Sequence, residues 1–343
     1  MCAMATGVSR RRVAIFATAA SVVSAFSLRS RPGATETLKY KLGTSLPPAH
    51  PVNEFLQRAV GKIAEDSDGE MQISLFPSSA LGSDSSRLSQ VRSGALEFEV
   101  TSGAVVSAFL PPAALSGVAF AFGDYPAVWR AMDGELGAYI RWAIETVGLH
   151  PFARVWDNGF RQITATAHPI AEPRDLIGMK IRVPRSRLWA EMFSALGAAP
   201  TALNFVAVYE ALRDKSIDGQ ENSLVVVETS RLFEVQNYCA ISNHAWDGLW
   251  VLCSQLLWNR LSRRLQEIIA QNFDAAALSQ REEVARLNKV LPSLIETKGM
   301  VVNTPAMEPF RRKLLGAGFY DAWREAYGDK AWSLLARYAD GLA

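Results

Sequence analysis

Residues 178–228 read GMKIRVPRSRLWAEMFSALGAAPTALNFVAVYEALRDKSIDGQENSLVVVE. A short apolar run, residues 179–183, opens the stretch and is interrupted by Arg182. Leu188, Met192, Phe193 and Leu196 then recur at helical spacing, as do Val208, Ala211 and Leu212. The polar cluster Asp218-Gly219-Gln220-Glu221-Asn222 closes it. Strand, helix and strand in this order indicate an α/β unit, and strand ends in open α/β sheets face the crevices where ligands bind. Arg182, stopped by Pro184, sits at such an end. One reading sends its head to solvent. The other offers a planar fork of donors that fits a carboxylate.

Working outward, Asn158-Gly159-Phe160-Arg161-Gln162-Ile163-Thr164 places a second arginine just after a glycine-containing turn, at the start of another strand. NGFRQIT, GMKIRVP, ALGAAPTALNF, VYEALRDKSIDGQEN and FEVQNYCAISNH occur in this order. In these motifs the chain resembles the solute-binding subunits of tripartite ATP-independent periplasmic (TRAP) transporters, the DctP type, from about residue 38 to the C-terminus. The resemblance implies a two-lobed periplasmic-binding-protein-like fold. Each lobe would be a mostly parallel sheet flanked by helices, with one long helix spanning both. It implies that Arg182 clamps the ligand carboxylate, that Arg161 is a second cation beside it, that Asn222 hydrogen-bonds it and that Phe205 lines the cavity. It also implies that the loop of Thr101-Ser102-Gly103 faces the cleft, so Ser102 is a contact or simply a turn serine. Two positions depart from the family pattern: Ser223 stands where proline usually follows the asparagine, and Ala207 where a glutamate is common.

The chain has 343 residues, 49% hydrophobic and 20% charged, an ordinary globular composition with room for two domains. Arg10, Arg11, Arg12, Arg29 and Arg31 all fall in the first 33 residues, which carry no acid. Without them the net charge of +2 becomes −3, which argues against nucleic acid as a partner. The three adjacent arginines precede an uncharged run, residues 13–26, in the layout of an export signal. Residues 1–33 are therefore read as a signal peptide and the mature protein as periplasmic; an uncleaved anchor is the alternative. Cys2 belongs to that leader. Cys239 and Cys253 could bridge in an oxidising compartment or stay as buried thiols, and two free thiols is the reading taken.

Strands at 38–43, 71–76 and 98–100 alternate with helices at 51–66 and 83–92, a βαβαβ rhythm. Helices follow at 125–133 and 136–147, and a strand at 152–156 leads into the Asn158-Gly159 turn. Further strands are read at 238–241 and 246–252, then one long helix or two joined ones over 261–298, in which Pro292 should impose a kink or break. Residues 34–158 and 248–285 are assigned to lobe I, and 159–247 and 286–343 to lobe II.

Other chemistry lacks its motifs. The four histidines show no His-x-x-x-His spacing, and there is no Cys-x-x-Cys, no Gly-x-Ser-x-Gly and no phosphate-binding glycine loop, so neither metal nor cofactor is expected. Glu221, beside Asn222 in the proposed cleft, is counted with the ligand-site residues and read as a group that holds Arg182 or the backbone in place. Among nine tryptophans, Trp156, Trp246 and Trp250 lie near the domain crossings, with Trp246 the first candidate to touch ligand. The function expected is extracytoplasmic capture of a small organic acid by a monomer. The resemblance further implies delivery to the membrane subunits of a TRAP transporter. Two alternatives stay open: a ligand-binding sensor, and an enzyme using Glu221 or Glu210 as base.

Overall fold

The computed structural model describes residues 37–339; the leader read over residues 1–33, Cys2 included, lies outside them. The described chain begins β1 (Leu38–Thr44), α1 (Pro51–Asp66), β2 (Met71–Phe76), α2 (Asp84–Ser93) and β3 (Phe98–Ser102). There follow α3 (Gly103–Val106), α4 (Tyr125–Met132), α5 (Glu135–Glu145), β4 (Leu149–Pro151) and β5 (Trp156–Ala165). The central stretch holds β6 (Lys180–Val183), α6 (Arg187–Leu196), β7 (Ala199–Ala202), α7 (Val208–Arg213), β8 (Gly219–Ser223) and α8 (Leu224–Thr229). Then come β9 (Tyr238–Ala240), β10 (Trp246–Ser254), α9 (Gln255–Trp258), α10 (Arg263–Thr297) and β11 (Val301–Asn303). Three helices, α11 (Glu308–Gly316), α12 (Phe319–Tyr327) and α13 (Asp329–Ala336), finish the described chain.

Local chemistry sets many of these boundaries. The Ser83 hydroxyl accepts the Ser86 N–H at the start of α2, and Gly94 ends that helix in the left-handed region, φ 79°. The main sheet path runs β2-β1-β3-β10-β5-β8-β6-β7. At one end β1 pairs in parallel with β2 and β3; at the other β6 pairs in parallel with β7 and β8. The long strands β10 and β5 join the two ends by antiparallel pairing. β5 changes partner midway: Phe160 faces Trp246 of β10, and the next residue, Arg161, faces Ser223 of β8. The two parallel halves therefore meet at Arg161.

Residues 158 and 159 form no turn. β5 runs unbroken from Trp156 to Ala165, and the Asn-Gly pair makes a β-bulge inside it. Asp157 pairs with Gly248 and Gly159 with Asp247, leaving Asn158 as the extra residue. Gly159 sits at φ +111°, a backbone that favours glycine, which is why the dipeptide looked like a turn.

α10 is one helix of 35 residues, about 52 Å long. Leu265, Ile269, Phe273 and Ala277 pack with β1, β2, β3 and α1, while Val284, Leu291 and Ile295 pack with α8 and β9. It thus spans both halves. Of the kink or break read at Pro292, the break does not occur; burial of Leu291 and Ile295 on either side holds the helix through the missing N–H. Cys239 and Cys253 are both free and buried, in different core clusters.

Candidate functional site

Between the halves lies a cavity of ≈ 50 Å³, walled by residues from both. Strand alternation explains which side chains reach it. On β10, Asp247 and Leu249 share the cavity face, and Trp246 turns the other way. On β8, Asn222 faces in and Glu221 out; on β6, Arg182 faces in while Ile181 and Val183 enter the core. Asn158 and Arg161 are three residues apart, yet both line the cavity, because the bulge shifts the alternation between them.

Arg161 is fully engaged. Its Nε and Nη2 donate to the two Glu221 carboxylate oxygens at 2.5 and 2.8 Å, Nη2 also donates to the Glu221 carbonyl at 2.8 Å, and Nη1 donates to Asp247 Oδ2 at 3.2 Å. The guanidinium lies 4.7 Å above the Trp189 ring. Burial would raise the Glu221 carboxyl, but the Arg161 guanidinium outweighs it and holds the group below its ordinary range. Burial raises the Asp247 carboxyl, against the pull of Arg161. His244, which burial keeps neutral, stands 3.5 Å from Glu221 and bonds Ser242 Oγ at 2.8 Å.

Arg182 differs. Its Nε and Nη2 both donate to the Leu203 carbonyl, at 3.0 and 2.7 Å. Among the described residues no carboxylate lies within 4.0 Å of it, although the side chain is 2% exposed. Burial lowers its pKa to about 10, so it stays charged at neutral pH. Glu221, Asp84 and Asp247 favour its charge from beyond contact distance, against Arg161 and burial. A buried cation with no carboxylate in direct contact is costly, and an anion entering the cavity relieves part of that cost. Phe205 lies over it, ring centroid 5.9 Å from the guanidinium carbon.

Asn222 is aimed by a relay. Its Nδ2 donates to Gln220 Oε1 at 3.1 Å, Gln220 Nε2 donates to Thr164 Oγ1 at 2.9 Å, and Thr164 Oγ1 donates to Gln236 Oε1 at 3.0 Å. Ser102 caps α3 by accepting the Ala104 N–H at 3.0 Å and donates to Asp247 Oδ1 at 2.7 Å. Asp84, at the start of α2, accepts the Phe205 N–H at 3.1 Å from across the cavity. Its other oxygen accepts from Arg87 at 3.0 Å. A Cβ at Gly43 would lie 2.6 Å from Arg87 Cδ, so any larger residue there would displace Arg87.

Of the residues singled out from the sequence, Arg182, Arg161, Asn222, Phe205 and Ser102 line the cavity together. Trp246 does not: it is 1% exposed, its Nε1 donates to Asp157 Oδ1 at 3.0 Å, and it packs edge-on against Phe122 and Trp129. Trp156 and Trp250 are buried in the core as well. Glu221 lies behind the wall and holds Arg161 rather than Arg182. The sequence reading passed over Asp247, Asp84 and the side chain of Asn158. Asp247 carried a signal, an acid set inside an otherwise apolar strand.

A family model described as bacterial extracellular solute-binding protein, family 7, matches residues 42–317. An uncharacterized protein of Sinorhizobium fredii is 30% identical over 305 residues, 89% of this chain; the match spans only 56% of that longer protein. The 2,3-diketo-L-gulonate-binding periplasmic protein YiaO of Escherichia coli is 31% identical over 242 residues, 71% of this chain and 74% of that one. Among solved structures, the sugar acid binding protein DctPAm from Advenella mimigardefordensis, in complex with galactonate, superposes with TM-score 0.85 at 26% identity. That likeness covers 90% of this chain and 100% of the other.

Proposed function

Because the chain belongs to the bacterial extracellular solute-binding proteins of family 7, the TRAP solute-binding proteins, we propose that it captures a small organic acid by its carboxylate on Arg182. It then delivers that acid to the membrane subunits of a TRAP transporter. One observation carries the reading: a buried guanidinium that touches no carboxylate among the described residues, at a cavity between two sheet halves. A carboxylate there makes charge-assisted bonds worth roughly 1.5–3 kcal/mol each. Asn222 adds a second donor. Arg161 contributes less than a free cation would, since Glu221 and Asp247 match its charge.

Capture proceeds by closure of the two halves on the ligand. The Asp84–Phe205 bond and the Ser85–Asn204 bond at 2.9 Å join α2 to the segment after β7, across the cavity. Ligand contacts on both walls favour the state in which those bonds form. The protein acts in the periplasm, as a monomer and without covalent chemistry. The galactonate and 2,3-diketo-L-gulonate named for two relatives are carboxylates, which supports an acid ligand. The tryptophans lend no support to an aromatic one, since none of the three candidates lines the cavity.

The test is a thermal-shift screen against aliphatic, sugar and aromatic acids with their uncharged amides as controls. A ligand at 100 times its Kd adds about 2.7 kcal/mol. Stabilisation by acids alone is expected; equal stabilisation by an acid and its amide would refute carboxylate capture.

A further inference from the structure

We propose that Asn158 makes this cavity selective for acids that carry a hydroxyl on the carbon next to the carboxylate. The inference rests on the reading that Arg182 holds that carboxylate. Asn158 is the extra residue of the β5 bulge, and bulges beside ligand sites re-aim a side chain. It is 5% exposed and lines the cavity.

The orientation of its amide follows from its neighbours. Asn158 Nδ2 stands 2.6 Å from Asp247 Oδ2. Arg161 Nη1 donates to that same oxygen at 3.2 Å, so Oδ2 is an acceptor and Asn158 must present its NH2 group there. Asn158 Oδ1 is then fixed as an acceptor. It is sealed from solvent and has no hydrogen-bond partner among the described residues. Buried acceptors in folded proteins are almost always paired, so this oxygen calls for a donor, and the cavity that Asn158 lines is the route by which a ligand can bring one.

The cavity is only ≈ 50 Å³, and Arg182 shares it. In so small a space the donor assigned to Asn158 is the substituent nearest the carboxylate. A hydroxyl supplies one. A 2-oxo group would set lone pair against lone pair, and an unsubstituted carbon would leave Oδ1 unpaired. Sites built to bond a ligand hydroxyl discriminate strongly against analogues that lack it.

The test is calorimetry on the full chain with two matched sets, lactate, pyruvate and propionate, and malate, oxaloacetate and succinate. In at least one set the hydroxy acid should bind tenfold or more tighter than its two counterparts. In Asn158→Ala that ratio should fall below threefold, with the hydroxy acid losing affinity and the oxo acid keeping its own. A generally loosened site would weaken all three acids together and leave the ratio in place. Oxo or unsubstituted acids within threefold of the hydroxy acid in the wild type overturn the inference, whether or not the variant folds. So does a preference that survives Asn158→Ala. Hydroxy-acid binding that persists in Arg182→Met overturns the carboxylate reading beneath it, whereas absence of binding by all six acids counts against the inference alone, the carboxylate reading being decided by the wider acid screen.

Discussion

Two arginines line one cavity, and their surroundings are opposites. Arg161 sits where β5 passes from one half of the sheet to the other, locked by Glu221 and Asp247. Arg182, at the end of β6, gives two donors to a backbone carbonyl and, among the described residues, touches no acid; Glu221, Asp84 and Asp247 act on it only from a distance. Burial is nearly equal, 3% and 2% exposed, so it is the supply of counter-charge that separates them. A matched buried charge serves as structure. An unmatched one is a demand for a ligand.

The largest effect that bears on this contrast is on stability. Arg161→Met leaves Glu221 and Asp247 buried without their cation and should cost about 3–5 kcal/mol in urea unfolding. A loss below about 1 kcal/mol would break the contrast. Next comes Arg182→Lys, which keeps the charge but not the planar fork. It should weaken binding of the cognate acid by about 1.5–3 kcal/mol in calorimetry and leave the unfolding midpoint nearly unchanged.

β5 carries another acid, on the side away from the cavity, that sharpens the comparison through pH. Burial raises Asp157 to about 7, against the pull of the Trp246 and Tyr125 hydrogen bonds and of Arg281. The folded state thus holds its proton more tightly than the unfolded chain. That contribution is full below the ordinary value of 3.8 and is lost as pH rises through about 7. Stability should fall across this window by up to roughly 1.4 kcal/mol per pH unit, and Asp157→Asn should flatten the slope. Glu221 has the opposite sign: its stability is lost as pH falls below its ordinary 4.5. The smallest effect is Ser102→Ala, about 1 kcal/mol of stability, through the lost cap on α3 and the lost bond to Asp247.

How much of this could be read beforehand depends on where each signal is stored. Arg182 stood out because a charge between Ile181 and Val183 breaks an apolar strand, and the βαβαβ rhythm of residues 38–102 follows from hydrophobic period and glycine stops. Arg161 looked the same from its neighbours, yet its counter-charges lie 60 and 86 residues away in sequence. No local pattern distinguishes a matched arginine from an unmatched one. Trp246 failed for a similar reason: which face of β10 meets the cavity depends on its register with β5, and a bulge resets that register. Asn158-Gly159 has turn chemistry in isolation, and only pairing with β10 turns it into a bulge. At Pro292 the break that its missing N–H favours is overridden by burial on both sides.

The central claim, that Arg182 is a buried cation held for a carboxylate, is tested most directly by Arg182→Met. The measurement is calorimetric Kd for the cognate acid, with urea unfolding of the ligand-free protein alongside. Affinity should drop at least a hundredfold while the ligand-free variant unfolds at no lower urea concentration than the wild type. Affinity within threefold of the wild type would contradict the account.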